Sequence, residues 1–97
     1  MIIYIDIDNT ICNLPENSLD YAMATPIEEN VLKANKFYDE GHTVVYWTGR
    51  GTISGKDWKL TTREQFEKWG VKYHELKFNK PYDLIIDDKA LNTKDWR

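Results

Sequence analysis

The sequence predicts an α/β fold built on a parallel sheet. Two observations carry the prediction. Apolar, strand-forming runs fall at residues 2–7, 42–47, 71–76 and 82–87, and amphipathic helical stretches separate the first three. Strand–helix–strand–helix–strand order implies right-handed crossovers, and hence parallel neighbours. At 97 residues the chain, 1–97, fits a single domain.

Residues 2–7 read Ile-Ile-Tyr-Ile-Asp-Ile, a nearly continuous apolar run that suits a strand covered on both faces. Residues 9–24 hold Asn, Pro and Ser without periodicity and read as a loop or small flap. A helix follows, with Thr25 as N-cap, Pro26 in the first turn and Glu28 completing a capping box. Val31, Leu32, Ala34 and Phe37 supply its apolar positions, and Gly41 ends it. Residues 42–47 form the second strand. The glycine-rich stretch 48–55 is a loop. A second helix stops at Gly70; it begins either near Asp57 or at a capping box of Thr61 and Glu64. Residues 71–76 and 82–87 are the third and fourth strands. Between these two lie only five residues, where a parallel crossover needs about ten or more. Either the third strand is very short or the connection is an extended loop over the sheet edge. The end of the chain is a minimal finish or a terminal helix over 90–96.

Composition limits the function classes. A net charge of −3 disfavours a nucleic-acid binder gripping many phosphates, which needs a basic field. One cysteine, Cys12, excludes an intrachain disulfide and points to a reducing, cytoplasmic setting. The start of the chain lacks the basic leader of a signal peptide, and no run reaches the roughly 18 apolar residues of a membrane span.

The chemistry-bearing residues fall at strand ends. Asp6 and Asp8 end the first strand, Thr48 follows the second, and Asp87 and Asp88 end the fourth. In open parallel sheets ligands bind outside the carboxyl ends, near the point where strand order reverses. Four carboxylates in one crevice repel one another unless a cation joins them. An all-oxygen set suits Mg²⁺, which keeps waters and takes one or two carboxylates plus substrate phosphate. A carboxylate can also attack phosphorus to give an aspartyl-phosphate.

These segments resemble a known family. Asp6-Ile7-Asp8-Asn9-Thr10 is similar to the first motif of the haloacid dehalogenase (HAD) superfamily, an apolar strand followed by DxDx[TV]. Thr48-Gly49-Arg50 resembles the second motif, Lys80 in Asn79-Lys80-Pro81 the third, and Asp87-Asp88 after Leu84-Ile85-Ile86 the fourth. The resemblance implies a three-layer, Rossmann-like sheet with flanking helices and a Mg²⁺-dependent phosphatase. Asp6 would be nucleophile and metal ligand. Asp8 would be acid and base, its carbonyl also on the metal. Thr48, Gly49, Asn9 and Lys80 would hold the phosphoryl group. Asp88, with Asp87 behind it or bound through water, would complete the metal site. Arg50 is open between phosphate binding and a structural ion pair.

Other residues have plainer expectations. Cys12 reads as a packed thiol, Trp58 as core, and His42 and His74 as strand-end residues. Lys56 could touch substrate, and Lys89 carries no role. The spans between motifs, about forty and about thirty residues, are too short for a globular cap, since domains rarely fall below ~50. An open site suits a large substrate, or a small phosphorylated metabolite such as a sugar phosphate if a second copy supplies a wall near residues 13–21. The resemblance extends loosely to bacterial sugar and capsule phosphatases. Alternatives are a nucleotide or nucleic-acid end phosphatase or phosphotransferase, and a non-catalytic phospho-ligand module.

Overall fold

The computed structural model describes residues 1–15, 20–52, 54–80 and 84–97. Strand β1 (Ile2–Ile5) pairs in parallel with β4 (Thr43–Trp47), and β4 in parallel with β5 (Glu75–Lys77). Helix α1 (Glu28–Asp39) joins β1 to β4, and α2 (Lys59–Trp69) joins β4 to β5. A small antiparallel pair, β2 (Cys12–Asn13) and β3 (Thr25–Pro26), closes the first loop.

The sheet order β1-β4-β5 runs in one direction. Two right-handed crossovers that step the same way put both helices on the same face. The core shows this directly. Ile5 and Ile7, with Val44 and Tyr46, form one buried cluster with Val31 and Ala34 of α1 and Phe66 of α2. The alternate residues Ile2 and Tyr4 are exposed. Among the described residues the sheet has no reversal of strand order, and its other face is covered only in part, since Val45, beside Tyr4, is buried.

The missing reversal traces to the fourth strand. Residues 84–87 form no strand, and Leu84 and Ile86 are 73% and 90% exposed. Tyr82 and Asp83, the start of the expected strand, lie outside the described residues. Only six residues separate Lys77 from Leu84, too few for the crossover of about a dozen that a parallel return requires. The third strand is short, β5 having three residues; residues 81–83 of the connection lie outside the described residues.

Helix boundaries also moved. Thr25 and Pro26 do not cap α1, because their backbone is committed to the ladder with Cys12 and Asn13. The cap position is Ile27, which has no side-chain cap bond. Glu28 and Glu29 fill the first turn, where their charge opposes the helix dipole favourably. Leu32 is exposed, while Val31 and Ala34 point inward. Helix α2 starts at Lys59, whose N–H donates to Asp57 Oδ1 at 2.9 Å; Thr61 lies inside the helix. Gly70 ends α2 as expected, left-handed at φ 69°. Residues 90–96 contain only a 3₁₀ turn, Thr93–Asp95. This tail is tied down at three points: the Thr93 and Thr10 hydroxyls lie 3.1 Å apart, Lys33 Nζ donates to the Trp96 carbonyl, and Trp96 stacks on Phe37.

Tyr46 is fully buried against the Phe66 and Tyr73 rings, and its hydroxyl has no hydrogen-bond partner among the described residues. Burial drives the ionisation of this hydroxyl well above its usual range. An unpaired buried hydroxyl costs about 1–3 kcal/mol. Tyr46→Phe is thus expected to raise stability by about 1 kcal/mol in urea unfolding; a clear loss would mean that the hydroxyl is bonded.

Candidate functional site

The C-terminal ends of β1 and β4 carry the site. Beyond β1 the chain turns tightly. The N–H groups of Thr10 and Ile11 both donate to the Ile7 carbonyl, and Asn9 takes a left-handed φ of 63°, which Asn tolerates better than most residues. Asp6 and Asp8 straddle Ile7, whose side chain is buried in the core. Asp6 is the more open of the two, with a side chain 39% exposed against 16% for Asp8.

Lys80 reaches this rim from the far side of the sheet. Its backbone N–H donates to the Thr48 carbonyl at 3.1 Å, and its Nζ lies 3.3 Å from Asp6 Oδ1. Gly49 permits this approach, because a Cβ there would come within 3.3 Å of the Lys80 carbonyl oxygen. Thr48 itself is buried, and its Oγ1 accepts the Arg50 N–H at 3.1 Å. Asp6, Asp8, Thr48 and Lys80 are thus linked at one end of the sheet, with Gly49 beside them and Asn9 exposed at the tip of the β1 turn.

Arg50 is only 2% exposed. Nε donates to Asp8 Oδ2 at 3.0 Å and Nη2 to Asp8 Oδ1 at 2.8 Å, a bidentate pair. Nη1 donates to Thr62 Oγ1 at 3.0 Å and Gln65 Oε1 at 2.6 Å. Nη2 also faces Cys12 Sγ at 3.8 Å, and the guanidinium lies 5.0 Å from the Tyr21 ring centre. Of the two readings of Arg50, this is the structural ion pair.

Sequence reasoning missed Thr62, Gln65 and Tyr21. Thr62 and Gln65 share a helix face at i, i+3, but nothing in the sequence says which charge that face meets. Gln65 Nε2 donates to the Tyr21 carbonyl at 2.6 Å, and Tyr21 packs edge-on against Trp58. Burial, and then the Asp8 charge, raise the Tyr21 hydroxyl above its usual range. Trp58 is buried as expected, with Lys56 over its ring. Cys12 is a packed thiol pushed up to about 12, first by burial and then by Asp8. His42 and His74 sit at strand ends: His42 Nδ1 meets the N-terminal amine, and His74 Nδ1 accepts from the Val44 N–H.

Asp87 and Asp88 are exposed, and Asp87 Oδ1 accepts the Lys89 backbone N–H at 2.9 Å. That bond, followed by Asp88, lowers Asp87 below the ordinary carboxylate range. Among the described residues no three His, Cys, Asp or Glu side chains gather closely enough to hold a metal ion. Pro81 lies outside the described residues. The donor chemistry still suits Mg²⁺ held by one protein carboxylate with water and substrate oxygens: Asp6 offers that carboxylate, open to solvent. It does not suit a closed protein cage.

No protein-family model matches this chain, and no curated protein matches it. Two solved structures share its fold. An MCSG target from Vibrio cholerae superposes with a TM-score of 0.86 at 22% identity, covering 99% of this chain and 87% of that one. The Pnkp1/Rnl/Hen1 complex contains a region superposing with a TM-score of 0.67 at 15% identity, covering 90% of this chain and 30% of that chain. At these identities the likeness is one of fold: a small α/β architecture with a three-stranded parallel sheet and two helices. No helix among the described residues is long and apolar enough to cross a membrane.

Proposed function

We propose that the chain is a phosphatase of the HAD type that hydrolyses a phosphate monoester through an aspartyl-phosphate on Asp6. The observation that carries this reading is the Lys80–Asp6 ion pair at 3.3 Å. It joins residues from the first and third motif-like segments, beside Thr48 from the second.

In this reading an Asp6 oxygen attacks phosphorus as the bond from phosphorus to the leaving oxygen breaks. Lys80 orients Asp6 and offsets phosphoryl charge. Thr48 and the Gly49 backbone N–H would hold the phosphoryl oxygens. Asp8 gives a proton to the leaving oxygen. It then takes one from the water that attacks the aspartyl-phosphate, releasing inorganic phosphate and restoring Asp6. Mg²⁺ bound at Asp6 would neutralise charge on the phosphoryl oxygens. Asp88, with Asp87 behind it or bound through water, would complete that site. The substrate favoured by a net charge of −3 is a small phosphorylated metabolite, and self-association in the cytoplasm would supply the wall that a capless site lacks.

The direct test uses purified protein, para-nitrophenyl phosphate and Mg²⁺. Steady turnover is expected, lost on chelation with EDTA and restored by excess Mg²⁺. No turnover with metal present would sink the phosphatase reading, and full turnover in EDTA would sink its metal requirement. Light scattering checks the self-association.

A further inference from the structure

We propose that Arg50 is a positioning residue for Asp8, so that the acid–base half of the reaction depends on Arg50 while attack by Asp6 does not. This rests on the phosphatase reading and on Asp8 as its acid and base.

The geometry leaves Arg50 little else to do. A guanidinium has five N–H donors. Nε and one donor of Nη2 go to the two Asp8 oxygens, Nη1 goes to Thr62 and Gln65, and the second Nη2 donor faces Cys12 Sγ. With the side chain out of solvent, no donor is left to meet a phosphate. The contacts are also arranged in order. Thr62 Oγ1 is itself held, donating to the Trp58 carbonyl at 2.8 Å, and Gln65 is held by the Tyr21 carbonyl. Helix α2 thus fixes Arg50, and Arg50 fixes both oxygens of Asp8. Lys80 holds Asp6 separately, through Oδ1.

Proton transfer requires a donor in hydrogen-bond reach of the leaving oxygen, and its contribution is about 10²–10⁴-fold. An unclamped Asp8 turns away from that position at a cost of about 10²-fold for roughly an ångström of misplacement. Lysine cannot replace the clamp, because an ammonium is a point donor and cannot span two carboxylate oxygens and two further acceptors.

The experiment measures kcat and KM on two esters. Para-nitrophenyl phosphate has a good leaving group that needs little protonation, and glycerol phosphate has a poor one. The proteins are wild type, Arg50→Lys, Gln65→Met, Asp8→Asn and the Arg50→Lys/Asp8→Asn double variant, each checked for folding by thermal melt. Arg50→Lys is expected to lower kcat on glycerol phosphate by about 10²-fold or more, and on para-nitrophenyl phosphate by less than about tenfold, with KM little changed. In the Asp8→Asn background it should add no further loss, since a residue acting only through Asp8 has nothing left to position. Gln65→Met leaves the Asp8 pair in place and should show the same leaving-group bias at smaller size. It decides the matter if Arg50→Lys does not fold. Equal losses on both esters, a raised KM, or a further loss on top of Asp8→Asn overturns the assignment and leaves the phosphatase reading standing. A folded wild type inactive on both esters overturns both.

Discussion

On the proposed reading, Asp6→Asn is expected to lower turnover by roughly 10⁴-fold or more, because the attacking oxygen is lost and no neighbour replaces it. The amide keeps the shape of the carboxylate and one acceptor oxygen for Lys80. The pair it weakens is partly solvated, with Asp6 39% and Lys80 13% exposed, so the stability change should stay within about 1 kcal/mol. Activity and stability therefore separate in this variant: a thermal melt near wild type together with background turnover. A folded Asp6→Asn protein retaining a tenth or so of wild-type activity would remove Asp6 from the nucleophile role. Asp8→Asn, by contrast, should keep slow turnover on esters with good leaving groups.

The second large effect is on stability. Arg50→Met removes one partner of a buried pair and is expected to cost about 3–5 kcal/mol. Asp8 would keep its charge in a pocket that exposes only 16% of its side chain. Gln65 Oε1 would lose its 2.6 Å donor, and Thr62 Oγ1 its 3.0 Å donor. For a domain of this size each kcal/mol shifts the melting temperature by about 4–8 °C, so the drop should exceed about 10 °C. The double variant Asp8→Leu/Arg50→Met removes both charges and should recover much of the loss, because well-packed apolar replacements of a buried pair are often neutral. Calorimetry on the pair of variants checks this. A single variant melting within about 2 °C of wild type would mean that Asp8 finds water or another partner once Arg50 is gone.

The residues at the strand ends could be read in one dimension because strand geometry is local. Residues 2–7 announced a strand, though Ile2 and Tyr4 leave one of its faces open rather than covered, and the acids at its end had to stand at its C-terminal rim. Gly70 announced the end of α2 for an equally local reason, the left-handed backbone that glycine permits. Boundaries failed where distant chain intervened. Thr25 and Pro26 have the chemistry of a helix start, yet their backbone pairs with Cys12 and Asn13.

By itself the sequence determined the strand–helix alternation, the parallel pairing that alternation requires, and the nearness of Asp6, Asp8 and Thr48, which follow strands that lie side by side. Only the tertiary structure decided that both helices share one face, that Leu84–Ile86 stay outside the sheet, and that Arg50 pairs with Asp8. The reason is physical. Periodicity records what a residue does to its own backbone, whereas the partner of a buried charge is chosen by packing between segments. Asp8 and Arg50 lie 42 residues apart, and nothing in the periodicity of either segment names the other.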